Sequence, residues 1–213
     1  MVINKELLSS NAASLGVDLS EDMLDKFDLL ASLLIEQNKT MNLTAITQPN
    51  EVVVKHFADS LSLLSAIEVP QGANVLDLGT GAGFPGLPLL IARPDIRLTM
   101  VDSTAKKLAY VASTLDKLSL SAETLHARAE EAGKDPAYRE QYDIVCSRAV
   151  AALNVLCEYC LPFVKVGGTF VAMKSAKAQE ELQLAEKAIS TLGGKTVGQK
   201  CFTLSDGGER TLI

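Results

Sequence analysis

Asp77-Leu78-Gly79-Thr80-Gly81-Ala82-Gly83-Phe84-Pro85-Gly86 joins two apolar runs and decides the fold. Upstream, Asn74-Val75-Leu76-Asp77-Leu78 reads as a short buried strand. Downstream, Leu87 to Ala92 starts a helix. Glycines at such a junction permit positive φ and let a ligand approach the main chain. The parsing Gly81-x-Gly83-x-x-Gly86 matches a dinucleotide fingerprint. Three features point away from a dinucleotide. The glycines begin earlier, at Gly79. An acid, Asp77, precedes them on the strand. Pro85 has no N–H to give a pyrophosphate at the helix start. The pattern suits a ligand without a pyrophosphate, such as S-adenosylmethionine, with Asp77, Gly79, Gly81 and Gly83 as cofactor-binding candidates.

Outward from this loop the chain alternates. Leu98 to Asp102, Ala122 to Ala127, Tyr142 to Ser147 and Gly168 to Lys174 read as strands, the last after a Val166-Gly167-Gly168 turn. Thr104 to Leu118, Ala151 to Leu161 and Ala176 to Leu192 read as helices between or after them. Segments 196–204 and 208–213 complete seven strands. Alternating strands and helices build a mostly parallel sheet with helices on both faces, the α/β Rossmann-like class. Asp102 ends the second strand, where a carboxylate can accept both ribose hydroxyls of a nucleoside.

The first third differs. Asn4 can cap a short helix, and Ser20 a stronger one with Met23, Leu24, Phe27, Leu30, Ala31 and Leu34 on one face. Asn50 is expected to cap a third helix, Glu51 to Ser65, bringing Lys55, His56 and Asp59 together. Residues 1–72 are therefore read as a helical extension and residues 73–213 as the catalytic domain.

The 213 residues carry a net charge of −6. Residues 1–72 hold four basic and ten acidic residues, so the rest of the chain is neutral. Bulk charge does not favour nucleic acid, but a local basic edge remains open. Lys106 and Lys107 follow the second strand, Arg148 the fourth, and Lys174 and Lys177 the fifth. Parallel strands bring these ends to one edge. No apolar run approaches the roughly 20 residues of a membrane helix, and Met1 to Lys5 begins no signal peptide. Four cysteines do not make a disulfide scaffold, which points to the cytoplasm. No spacing suggests a metal; Cys157-x-x-Cys160 stands alone.

Several stretches carry a resemblance to one family. They are Asn42-Leu43-Thr44-Ala45-Ile46, Lys55-His56-Phe57-Ala58-Asp59-Ser60 and the glycine loop extended through Leu87-Pro88. Asp102-Ser103, Ser147-Arg148-Ala149 and Gly208-Glu209-Arg210 agree with it. The chain resembles, from about residue 20 onward, the bacterial 16S rRNA guanine-N7 methyltransferases, also called glucose-inhibited division protein B or ribosomal small subunit methyltransferase G. The resemblance implies a class I S-adenosylmethionine-dependent methyltransferase acting on a guanine in a decoding-region loop of 16S rRNA; the chain is expected to work as a monomer. It implies that Gly79 and Phe84 contact the cofactor, that Ala129 and Glu130 flank its adenine, and that Arg148 lines the site. With the basic edge it gives Lys106, Lys107, Arg148, Lys174 and Arg210 as RNA-binding candidates. Members often continue past Gly-Glu-Arg-His-Leu into a basic tail; Thr211 replaces that His here, and the sequence ends at Ile213.

The chemistry agrees. Guanine N7 has a lone pair and no proton, so no general base is needed, and positioning carries the reaction. Cys146-Ser147-Arg148-Ala149 also lacks the Asn-Pro-Pro-Tyr-like tetrad common in exocyclic-amine methyltransferases. Arg148 is the catalytic candidate, its planar donors suiting guanine O6 or phosphate. Cys146 raises a rival, pyrimidine C5 methylation through a thiolate. The residues also leave room for a NAD-dependent oxidoreductase and for a non-catalytic S-adenosylmethionine-binding ribosome factor.

Overall fold

The computed structural model describes residues 1–175 and 178–213. The chain opens with α1 (Lys5–Ser14) and α2 (Glu21–Met41), then α3 (Pro49–Val52), which runs through a π-helical turn, Val53–Ala58, into α4 (Asp59–Ala66). The alternating part follows as β1 (Asn74–Leu78), α5 (Gly86–Ala92), β2 (Arg97–Asp102), α6 (Ala105–Leu118), β3 (Glu123–His126) and α7 (Ala129–Ala132). It continues through β4 (Tyr142–Arg148), α8 (Leu153–Cys160), a 3-10 turn at Leu161–Phe163, β5 (Val164–Lys174), α9 (Ala178–Thr191), β6 (Lys200–Thr203) and β7 (Glu209–Leu212). Lys177 and the expected start of the last helix at Ala176 lie outside the described residues.

The two early caps form as expected. Asn4 Oδ1 accepts the N–H of Leu7 at 2.9 Å, and Ser20 Oγ that of Met23 at 3.3 Å. The third helix corrects the sequence reading. Gln48 is its N-cap and Pro49 its first residue, a position where proline loses no needed donor. The Val166-Gly167-Gly168 turn is also corrected. β5 runs straight through it, with a register shift against β4 between Tyr142 and Ile144. Gly167, at φ +85°, absorbs the extra residues without a Cβ penalty.

The seven strands lie in the order β3-β2-β1-β4-β5-β7-β6. β1 to β5 pair in parallel; β7 is antiparallel to both β5 and β6. Strand residues alternate between two cores. Val75, Leu98, Met100, Ile144 and Val171 face one core together with α1, α2, α4, α5 and α6. Leu76, Leu78, Val101, Val145 and Ala172 face the other with α7, α8 and α9. Helices 1–66 thus share a core with the sheet. The strand order reverses between β1 and β4, and crevices for ligands open at such a point, beyond the carboxyl ends of the strands.

Candidate functional site

The loop after β1 and the turn after β4 meet at this crevice. The glycine loop is tied down from below. Gly79 and Thr80 both donate N–H to Val101 O at the end of β2, at 2.8 and 3.0 Å. Asp77 is fully buried beneath the loop. Its Oδ2 accepts Thr80 Oγ1 at 2.6 Å and the N–H of Gly86 at 2.9 Å. Asp77 therefore shapes the loop from behind instead of reaching a ligand. Burial raises its pKa to about 6, against the lowering effect of its bonds to Thr80 and Gly86. Gly86 has no room for a side chain: a Cβ would stand 2.8 Å from both Asp77 Oδ2 and Met100 Cε. Gly79, at φ +74°, lies against Val150, whose Cγ2 would be 2.3 Å from a Cβ there.

Above the loop is a cavity of about 700 Å³, within the usual range for small-molecule sites. Gly79, Gly81, Phe84, Asp102, Lys107, Arg148, Lys174 and Arg210 line it. Asp77, Gly83, Ala129, Glu130 and Lys106 do not appear in its wall. Asp102 is anchored at the cavity wall. Its Oδ2 accepts Gly81 N–H at 2.9 Å and its Oδ1 accepts Thr104 N–H at 2.8 Å. Each carboxylate oxygen keeps a lone pair for a further donor. The backbone around Gly81 is open: a Cβ there would meet only Gly79 O, at 3.8 Å. An anchored carboxylate beside bare main chain fits an adenosyl cofactor held by Asp102, Gly79 and Gly81.

The opposite wall comes from the helical first third. His56, on the π-helical turn, stacks on Phe84 with ring centroids 4.6 Å apart and planes 9° apart. The Arg148 guanidinium lies 5.3 Å from the Phe84 centroid. Its Nη1 donates to Asp59 Oδ2 at 2.8 Å, and its Nη2 meets His56 Nδ1 at 3.3 Å. Asp59, only 4% exposed, also accepts Arg210 Nε on Oδ1 at 3.1 Å. Arg148 is thus held in a buried ion pair with Asp59 while it lines the cavity. His56 reaches Thr44 through Nε2 at 2.9 Å. Burial, and then the charge of Arg148, lower its pKa to about 3, so the ring is neutral.

The basic candidates divide. Lys174 Nζ is engaged by Glu181 at 2.6 Å and by Ala151 O at 2.8 Å. Lys106 and Lys107 form no ion pair among the described residues. Cys146 is fully buried, its Sγ 3.5 Å from Leu76 O, and burial pushes its thiol well up. No thiolate reaches the cavity from Cys146, which removes the observation behind pyrimidine C5 chemistry. Cys157 and Cys160 are buried in α8. Asp59 and Thr44 received no individual role from the sequence. The π-helical turn, a frequent mark of functional sites, has no simple sequence signature.

Among the described residues, no helix is long and apolar enough to cross a membrane, and no group of residues is arranged to ligate a metal. The profile described as rRNA small subunit methyltransferase G matches residues 23–212. The chain is 48% identical over 196 residues to the ribosomal RNA small subunit methyltransferase G of Pelotomaculum thermopropionicum, covering 92% of this chain and 82% of that one. It is 48% identical over 202 residues to the protein of that name from Lachnoclostridium phytofermentans, covering 94% and 84%. Among solved structures, a SAM-dependent methyltransferase from Aquifex aeolicus superposes with a TM-score of 0.58 at 19% identity, covering 80% of this chain and 95% of that one. This last likeness concerns the fold.

Proposed function

The chain belongs to the rRNA small subunit methyltransferase G family, an S-adenosylmethionine-dependent enzyme family, and from that membership we propose that it methylates N7 of a guanine in the decoding-region loop of 16S rRNA. The observation that carries the reading is the cavity itself. An anchored ribose acid and bare glycine backbone form one side; a cation, a phenyl ring and a neutral imidazole form the other. We further assign residues 73–213 as the methyltransferase domain and 1–72 as an extension that completes its wall. The cytoplasm as its place of action, a single chain as its working form, and free 16S rRNA or the 30S subunit as its partner belong to the same proposal.

When bound, S-adenosylmethionine supplies an electrophilic methyl group on a sulfonium. Asp102 would take the ribose hydroxyls, and the backbone at Gly79 and Gly81 would lie against the cofactor. Phe84, Ala129 and Glu130 are proposed to contact it as well, the last two through approach to the adenine. Asp77 and Gly83 contribute by holding the loop. Arg148, fixed by Asp59, directs its remaining donors at the base or an adjoining phosphate. No residue has to remove a proton, because guanine N7 carries none. His56 is consistent with this: Nδ1 faces Arg148 and Nε2 faces Thr44, so it is not placed to serve as a base. Exclusion of water and alignment of the two reactants are the work left to the chain. Lys106, Lys107, Lys174 and Arg210 are the proposed RNA-side cations.

The test uses labelled S-adenosylmethionine and 30S subunits or 16S rRNA from a strain lacking this modification. Label is expected in N7-methylguanine. Label in another nucleoside, or none, overturns the reading. S-adenosylmethionine should raise the melting temperature, and NAD should not.

A further inference from the structure

Residues 42–47 form no helix or strand, yet Thr44 is held at nearly every polar atom. Asn38, near the end of α2, grips its main chain. Thr44 N–H donates to Asn38 Oδ1 at 2.9 Å, and Asn38 Nδ2 donates to Thr44 O at 2.9 Å. The hydroxyl is held as well. Ile46 N–H donates to Thr44 Oγ1 at 3.0 Å, and His56 Nε2 lies 2.9 Å from the same oxygen.

The direction of that last bond follows from Arg148. A guanidinium only donates, so the His56 nitrogen facing it, Nδ1, has to be the unprotonated one. The proton of the neutral ring is then on Nε2 and points at Thr44. Both lone pairs of Thr44 Oγ1 are occupied, by Ile46 and by His56. What remains is its O–H hydrogen, for which the described residues offer no acceptor. Thr44 lines the cavity beside His56.

We propose that Thr44 reads the identity of the target base: its hydroxyl, locked as a donor by His56 and Ile46, hydrogen-bonds O6 of the guanine whose N7 receives the methyl. The inference rests on the guanine-N7 reading of the site. O6 and N7 lie side by side on one edge of guanine, and both are acceptors. N7 is committed to the methyl group, so O6 is the acceptor left for the protein. Adenine carries an amino group in that place. Its N–H would meet a hydroxyl with no lone pair to offer, and two donors would face each other. A site built around a polar partner in this way rejects the wrong base more strongly than an apolar pocket does. His56 acts through Thr44: it fixes the polarity of the hydroxyl and touches no reacting atom.

The test compares wild type, Thr44→Val and Thr44→Ser. Val keeps the shape and loses the hydroxyl; Ser keeps the hydroxyl. Transfer is measured on 16S rRNA or reconstituted subunits with guanine at the target position, and with 2-aminopurine there, which lacks O6 and keeps N7. On guanine RNA, kcat/KM should fall about tenfold or more for T44V and stay within about threefold for T44S. On 2-aminopurine RNA, wild type and T44V should be equal. S-adenosylmethionine affinity, measured by calorimetry, should be the same in all three. Equal transfer to guanine RNA by wild type and T44V overturns the proposal. So does a T44V deficit that persists on 2-aminopurine RNA, or a parallel loss of cofactor affinity, since either marks a role in shape alone. A wild-type protein that labels no guanine N7 overturns the functional reading itself, and the inference with it.

Discussion

Arg148 Nη1 lies 2.8 Å from Asp59 Oδ2, joining the end of β4 to the start of α4 across 89 residues of sequence. The same carboxylate takes Arg210 from β7 on its other oxygen. With Asp59 almost wholly buried, removing it strands a guanidinium with a burial cost and no counter-charge. Asp59→Ala should lower unfolding free energy by about 3–5 kcal/mol, read by urea denaturation. A loss below about 1 kcal/mol would mean that the pair is solvated in solution.

Asp102→Ala should weaken S-adenosylmethionine binding by roughly 1–3 kcal/mol, the size of a lost charged hydrogen bond. Titration calorimetry measures it. Asp102 also accepts the N–H groups of Gly81 and Thr104, so Asp102→Asn, which keeps one acceptor oxygen, should fall between the two. Unchanged affinity in both variants would remove the ribose role.

Gly86→Ala places a methyl 2.8 Å from Asp77 Oδ2 and from Met100 Cε. Neither neighbour is a free surface side chain, so the strain should cost about 1–3 kcal/mol. Thermal melting would show it. A melting temperature unchanged by this substitution would contradict the tight seat of α5 on β1.

Two buried groups should oppose each other below neutral pH. Asp77 titrates near 6 in the folded chain against 3.8 as a free side chain, so the folded state binds the extra proton between those values. Its contribution is present below pH 3.8 and is lost as pH rises to about 6. His56 titrates near 3 against 6.5, so there the unfolded state binds the extra proton. Its contribution is full above pH 6.5 and is lost as pH falls toward 3. The slopes have opposite signs and approach 1.4 kcal/mol per pH unit each. Wild-type stability should therefore change little from these two between pH 4 and 6. His56→Phe should leave stability falling as pH rises through that window, and Asp77→Asn should leave it rising. Denaturant midpoints at pH 4, 5 and 6 separate the two; like slopes in both variants would refute the assignment.

The glycine loop was readable because its glycines and its inner brace are local: Asp77 grips Thr80 and Gly86, all within one stretch. The seven strands were readable for a similar reason, since each alternates or runs apolar within a few residues. Asp59 was not. On a helical wheel it looks like one more acid of an acidic segment, and both its partners come from distant strands. Lys174 shows the converse. Its place after β5 suggested a free cation, but Glu181 on α9 takes it up. The bulge in β5 escaped because Val166-Gly167-Gly168 has turn chemistry, while its flanks, Val164 and Thr169, both pair with β4.

Asp59 and Arg210 are 151 residues apart, one in the helices made early and the other in β7. A chain growing from its amino end therefore has the glycine loop, Asp102 and Arg148 before it has β7. Until β7 emerges, Asp59 has one of its two guanidinium partners, and the cavity lacks the wall that Arg210 and Leu212 provide. The order of synthesis thus delays a complete pocket until β7 has emerged, so a chain still short of that strand has no finished site to offer.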